Sequence, residues 1–206
     1  MARKKRASRD SGAAILRAAA HEFSERGYDA ARVDRIALRA RVNKAMLYYH
    51  YGSKQGLYVA ILRDMFGTVA GRLRPIADGP GLPSQKLDAV IAALVDEASA
   101  RPWFPPVMLR ELASGGAHFD RETLGIMNSV YGAIHDLIVE GQRKGEFHDV
   151  DPLLFHLTVM PTILCFFARQ RVIATTKTAL DVAAPRGVDA FVQHMQRSVR
   201  RILGKD

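Results

Sequence analysis

A chain of 206 residues can form one large domain or two small ones around a real core, and its 48% apolar and 25% charged composition excludes a disordered chain. One cysteine, Cys165, excludes an internal disulfide, and in its apolar run it reads as a buried, inert thiol. The formal charge of +9 is concentrated: residues 1–54 carry 13 Lys or Arg against 5 Asp or Glu, and residues 55–206 carry 17 against 16, the footprint of a small nucleic-acid-binding module on a nearly neutral body.

Met1 to Asp10 is basic with no apolar stretch behind it, so it reads as an arm (Arg3, Lys4, Lys5, Arg6, Arg9) and not as a secretory signal. Ile15, Ala19 and Phe23 mark a first helix that ends at Gly27. Val33, Ile36, Ala37 and Ala40 have the i, i+3, i+4, i+7 spacing of a buried helical face. After a short break at Arg41-Val42-Asn43 comes a compact helix, Lys44 to Tyr51, ended by Gly52. Ser53 then caps a longer helix striped by Leu57, Ile61, Met65, Val69 and Leu73.

The proline- and glycine-rich run Pro75 to Ser84 predicts a loop, with the fourth helix ending before it. A fifth helix carries Leu87, Val90, Ile91 and Leu94. Arg101 to Pro106 interrupts again, and a short helix through Met108 and Leu112 runs out at Gly115-Gly116. A long helix is predicted from about Asp120 to Lys144, with Gly145 beyond it. Asp151-Pro152 opens an eighth helix, to about Arg171, that is apolar on nearly all sides. The last helix carries Phe191, Met195, Val199 and Ile202. The longest apolar stretch, Leu153 to Ala168, holds His156 and Pro161 and is shorter than the roughly 20 residues of a membrane helix, so a cytoplasmic protein is expected. No strand alternation emerges. The fold class is all-α, about nine helices: an N-terminal three-helix head with a helix-turn-helix, and a larger helical body.

Two short helices joined by about three residues suggest a helix-turn-helix at about 32–51, whose second helix enters the major groove of DNA. Tyr48-Tyr49-His50-Tyr51-Gly52-Ser53-Lys54 places phenol and imidazole donors beside a new helix N-terminus, an arrangement suited to phosphate. Together with Phe23, Gly27-Tyr28, Val33-Asp34-Arg35-Ile36-Ala37 and Val42-Asn43-Lys44-Ala45-Met46-Leu47, that segment resembles the N-terminal domain of TetR-type transcriptional regulators, across about residues 11–66.

The resemblance implies a homodimer, each head reading one half-site of a near-palindromic double-stranded DNA operator, with a small-molecule cavity in each body (67–206). It also implies DNA contacts from Lys44, Tyr48, Tyr49, His50 and Lys54, with Ala45 and Met46 facing base edges. The chain departs from that pattern in three places. No hydroxyl stands near Ala31 and Arg32, so Arg32 is expected on phosphate instead. Arg41 stands where the turn usually has Gly, and Tyr51 where Phe is usual.

A ligand cavity needs apolar lining with a few polar anchors. Phe66, Trp103, Phe104, Met108, Met127 and Tyr131 are candidates for the first, and Arg110 and His135 for the second. The eighth and last helices suggest a dimer interface through Leu157, Leu164, Phe167, Met195, Val199 and Ile202, closing a four-helix bundle. No metal-ligand spacing and no cofactor motif occur. Ser114-Gly115-Gly116-Ala117-His118 has the glycines of an oxyanion loop but no nucleophile elbow, so an enzyme is disfavoured. A DNA-binding architectural factor without ligand control is the other alternative.

Overall fold

The computed structural model describes residues 2–169 and 185–204, with side chains over 11–169 and 187–204. Among these residues nine helices follow one another: α1 Ala2–Ala30, α2 Val33–Ala40, α3 Lys44–Tyr51, α4 Lys54–Asp78, α5 Pro83–Ala100, α6 Phe104–Ala113, α7 Arg121–Arg143, α8 Pro152–Ala168 and α9 Pro185–Leu203. The described residues form no named strand; a lone antiparallel bridge joins Phe147 to Gly204.

The backbone of residues 2–10 continues α1 rather than forming a separate arm, as a run of Ala, Lys and Arg without Pro or Gly allows. The side chains of Arg3, Lys4, Lys5, Arg6 and Arg9 lie outside the described residues. α1 breaks at the expected glycine: Gly27 has φ 76°, ψ 174°, and the chain resumes for one turn to Ala30.

α4 overruns the predicted stop. It passes through Pro75 and ends at Asp78, so the connection to α5 is only residues 79–82 and Pro83 is the first residue of α5. Proline costs a helix one hydrogen bond and crowds the carbonyl four residues back. Here that cost falls in the last turn. Ala77 is buried there, Arg74 pairs with Asp78 at 2.8 Å, and the Lys86 ammonium donates to the Ala77 carbonyl at 3.0 Å.

The core runs without interruption from head to body. Ile15, Phe23, Ile36 and Leu47 close the head around Leu57 and Ile61 of α4, and Met65 and Leu73 carry the same stripe into Ile91, Ile134 and Leu137. α4 is thus the shared spine, packed most extensively on α7. The Phe147 ring folds back onto Gly141, where a Cβ would lie 2.0 Å from it, so the C-terminus of α7 requires glycine there. Asp120 caps the other end of α7, accepting from the Thr123 amide at 2.8 Å and hydroxyl at 2.7 Å.

Four of the six residues expected at the interface on α8 and α9 need correction, while Leu157 and Ile202 stay exposed. Leu164 and Phe167 of α8 and Met195 and Val199 of α9 are buried in the chain's own core. The reason is coverage: α5, α6 and α7 all pack on α8, α9 packs on α5, and Phe166 stacks on Phe191 with ring centroids 3.7 Å apart. What one chain leaves open is the outer face of α8, with Leu153, Leu154 and Leu157 (54% exposed), and Ile202 on α9. Cys165 is also exposed on α8, not buried as its neighbours suggest. The predicted end of this helix near Arg171 lies outside the described residues.

Candidate DNA-binding surface and ligand cavity

Residues 41–43 make the turn between α2 and α3. Arg41 has φ 56°, ψ 42°, the left-handed conformation that glycine adopts without penalty. The Val42 amide donates to the Ala37 carbonyl at 3.0 Å and the Arg41 amide to Leu38 at 3.1 Å, satisfying carbonyls that the helix end leaves open. Asn43 caps α3 by accepting from the Ala45 amide at 2.9 Å. On its inner side α3 is anchored by the fully buried Leu47.

The outer face of α3 presents Lys44, Ala45, Tyr48 and Tyr49 to solvent, with Met46 half-buried beside them. Tyr49 is 76% exposed and belongs to no core. Lys44 pairs with Asp34 of α2 at 2.8 Å, and that hydrogen bond and charge hold its ammonium pKa above the usual value. Arg32 stands at the N-cap position of α2, exposed, and its side chain makes no cap. The missing hydroxyl foreseen from sequence is therefore a real difference at this helix end.

Two other expected DNA residues also make bonds within the head. His50 shares a hydrogen bond with the Ser11 hydroxyl at 3.0 Å, and neighbouring Tyr51 donates to the Gly12 carbonyl at 2.9 Å. Both button the end of α3 to α1. Lys54 donates to the Asp29 carbonyl at 3.0 Å, and its ammonium lies 4.7 Å from the centre of the Tyr28 ring. Ser53 caps α4 as expected, accepting from the Gly56 amide at 2.9 Å. Sequence reasoning passed over Glu22. This carboxylate is 2% exposed and faces Arg26 at 3.4 Å and Arg35 at 3.2 Å, which fixes α2 against α1.

The expected ligand residues do not converge on one site. Phe66, Phe104 and Met108 are closed into the core, where Phe66 meets Phe119 edge-on at 6.0 Å. Met127 and Tyr131 are half-buried on α7. The Tyr131 ring lies 5.7 Å from His135 and 5.3 Å from His156, and His135 bonds Asp136 at 3.2 Å. Burial among apolar neighbours holds the His156 imidazole pKa below its usual value.

Arg110 serves a different purpose. Its guanidinium donates to the Phe23 carbonyl at 3.2 Å and the Ser24 carbonyl at 2.6 Å, latching α6 of the body to α1 of the head. Next to it Glu111, 1% exposed, accepts from the His118 amide at 3.1 Å and the Ser114 hydroxyl at 3.3 Å, and bonds the His118 ring at 3.0 Å. The Ser114–His118 segment is thereby a turn folded onto a buried carboxylate. Burial and Glu111 together push the Tyr58 phenol strongly upward.

Of the expected ligand residues, Trp103 lines a cavity of about 400 Å³ between α1, α4 and the α5–α6 connection. Among the described residues no group of acids, histidines and cysteines could hold a metal ion, and no helix is long and apolar enough to cross a membrane.

Residues 15–61 match the family model of bacterial regulatory proteins, tetR family, and residues 83–199 match the tetracyclin repressor-like C-terminal domain. The chain belongs to the TetR family and is a DNA-binding transcriptional regulator with an N-terminal helix-turn-helix. It is 30% identical to the transcriptional repressor NicS of Pseudomonas putida over 159 residues, covering 74% of this chain and 73% of that one. It is 25% identical to the regulator RutR of Escherichia coli K12 over 192 residues, 92% and 87% of the two chains. The ketosteroid regulator KstR2 of Mycobacterium tuberculosis shares the fold at TM-score 0.75 and 20% identity, over 95% of each chain. FadR of Bacillus subtilis, solved in complex with stearoyl-CoA, does so at TM-score 0.72 and 18% identity, over 90% of this chain and 96% of that one.

Proposed function

We propose that the chain is a cytoplasmic homodimeric repressor that holds a near-palindromic operator and releases it when a small molecule binds. The observation that carries this reading is the outer face of α3. Its Lys44, Ala45, Tyr48 and Tyr49 are exposed to solvent while its inner face and C-terminus are fixed to the head through Leu47, His50 and Tyr51. A rigid helix with a free polar and aromatic face is what major-groove reading needs. In this reading Lys44, Ala45 and Met46 face base edges, and Arg32, Tyr48 and Tyr49 meet phosphates. His50 and Lys54 also brace the head, each through one bond to α1, and the Lys54 ammonium keeps further N–H donors for a phosphate.

The division into a head of residues 11–66 and a body of 67–206 suits these roles, with the boundary inside the shared helix α4. The dimer face moves from the buried side of α8 to its outer side, Leu153, Leu154 and Leu157, with Ile202 of α9. Relatives named as repressors support repression, and structural neighbours, one named a ketosteroid transcriptional regulator and one solved in complex with stearoyl-CoA, support control by a small molecule.

Selection of bound sequences from random DNA tests the proposal. Two inverted half-sites about one DNA turn apart, or a little more, are expected. Enrichment of a single unrepeated site, or none, would overturn it. An architectural factor would enrich bent or flexible DNA and gain no thermal stability from any small molecule.

A further inference from the structure

The cleft lined by Trp103 lies where head and body meet, outside the buried core of the body. Arg17 and His21 project from α1, Asp64 and Ile61 from α4, and Arg101 and Trp103 from the α5–α6 connection. Its volume, about 400 Å³, is in the range of small-ligand sites. Its charged residues come from three elements. Arg101 is already paired with Glu97, which also pairs with Arg72 at 3.1 Å. Arg17 and His21 are exposed and form no ion pair with a described residue, and Asp64 lines the same cleft from α4. α1 thus offers unspent donors and α4 an acceptor, and the Trp103 indole and the Ile61 side chain line the same cleft.

From this arrangement we infer that the cleft binds the controlling ligand, and that this ligand is a small aromatic acid carrying a ring hydroxyl. The ring packs on Trp103 and Ile61, the carboxylate meets Arg17 and His21, and the hydroxyl donates to Asp64. The inference rests on the ligand-responsive regulator reading and adds to it the place and the chemistry of the ligand.

The location explains how occupancy reaches DNA. Arg110 ties the end of α1 to α6 through the Phe23 and Ser24 carbonyls. A molecule wedged between α1 and the N-terminal approach to α6 bears on the same two helices, so it favours a head placement different from the latched one. Binding free energies are reciprocal: whatever factor the ligand takes from operator affinity, the operator takes from ligand affinity.

Trp103 is the chain's one tryptophan, so its fluorescence reports this cleft directly. Titration calorimetry and indole fluorescence with 3-hydroxybenzoate, benzoate and phenol, on the full-length protein, test the inference. 3-Hydroxybenzoate is expected to bind saturably and to shift the indole emission, benzoate several-fold more weakly, and phenol at least tenfold more weakly. Arg17→Met should weaken 3-hydroxybenzoate at least tenfold, and Asp64→Asn should abolish its advantage over benzoate, both without loss of melting temperature. Operator DNA should lower 3-hydroxybenzoate affinity by the factor that the acid lowers operator affinity.

No saturable shift with either acid, or binding indifferent to both substitutions, overturns the inference. Operator binding by the ligand-free protein is measured on the same sample. If it is intact while the acids fail, only the cleft assignment falls; if it is absent, the regulator reading falls as well.

Discussion

Arg41 holds a conformation that only glycine adopts freely, so the turn between α2 and α3 carries strain of roughly 1 kcal/mol. Its side chain is exposed and makes no described ion pair, and the hydrogen bonds that close the turn come from backbone amides, which glycine would keep. Arg41→Gly is expected to stabilise the chain by up to about 1 kcal/mol, read as a higher denaturation midpoint, with operator affinity weakened by the lost charge alone. A lower midpoint would mean that the left-handed turn is not the folded state's conformation. Three residues away, Lys44 is held by Asp34 at 2.8 Å and must exchange that partner for a base. Exposed pairs of this kind are weak, so the exchange is easy. Asp34→Ala should tighten DNA binding, while Lys44→Ala should relax preference at one base position per half-site by about 1–3 kcal/mol. Binding to a library of operator variants measures both, and unchanged preference in Lys44→Ala would place this side chain on the backbone.

At the scale of single helices, α8 separates two kinds of leucine. Leu157 is open to solvent and Leu164 is enclosed by its own chain. Leu157→Asp is expected to yield a folded monomer in sedimentation, with a melting temperature near that of the dissociated parent. Leu164→Asp buries an unpaired carboxylate and should unfold the chain, at a cost above about 4 kcal/mol. A dimer surviving Leu157→Asp would remove the interface from this face. α7 supplies the pH dependence. Asp120 at its N-terminus is held down to about 2 by the Thr123 hydroxyl and amide, with Arg63 adding to this; Glu140 near its C-terminus is held to about 2 by Lys144 and Lys86. Both carboxylates have lowered folded-state values, so their contribution is complete above the ordinary carboxylate range and disappears as the pH falls towards 2. Acid unfolding followed by circular dichroism should begin below about pH 4. In Asp120→Asn the decline should be shallower from a lower plateau.

Over the whole molecule, the +8 excess of residues 1–54 would be carried twice in the proposed dimer. Log operator affinity should fall with log salt by about 0.9 for each phosphate neutralised, summed over both heads. Separating the chains with Leu157→Asp should therefore roughly halve the slope as well as weaken binding. An unchanged slope would mean that one head makes all the phosphate contacts.

Local signals in the chain determined the helices, the helix-turn-helix and the family: four-residue apolar spacing, cap residues such as Ser53 and Asp151, and terminating glycines all act within one or two turns. The stop placed before Pro75 failed because the support that carries α4 past this proline, Lys86 on the Ala77 carbonyl, comes from another helix. Tertiary packing also decided which side of an apolar helix is spent. Leu157 and Leu164 are indistinguishable by type and spacing, yet α5, α6 and α7 cover only one of them. The same holds at the site. Lys54, His50 and Arg110 carry groups suited to DNA or ligand, but whether those groups are free depends on carbonyls and hydroxyls brought near from 25 to 87 residues away along the chain. Residue type determines what a side chain can bond; only the fold decides whether an internal partner reaches it first.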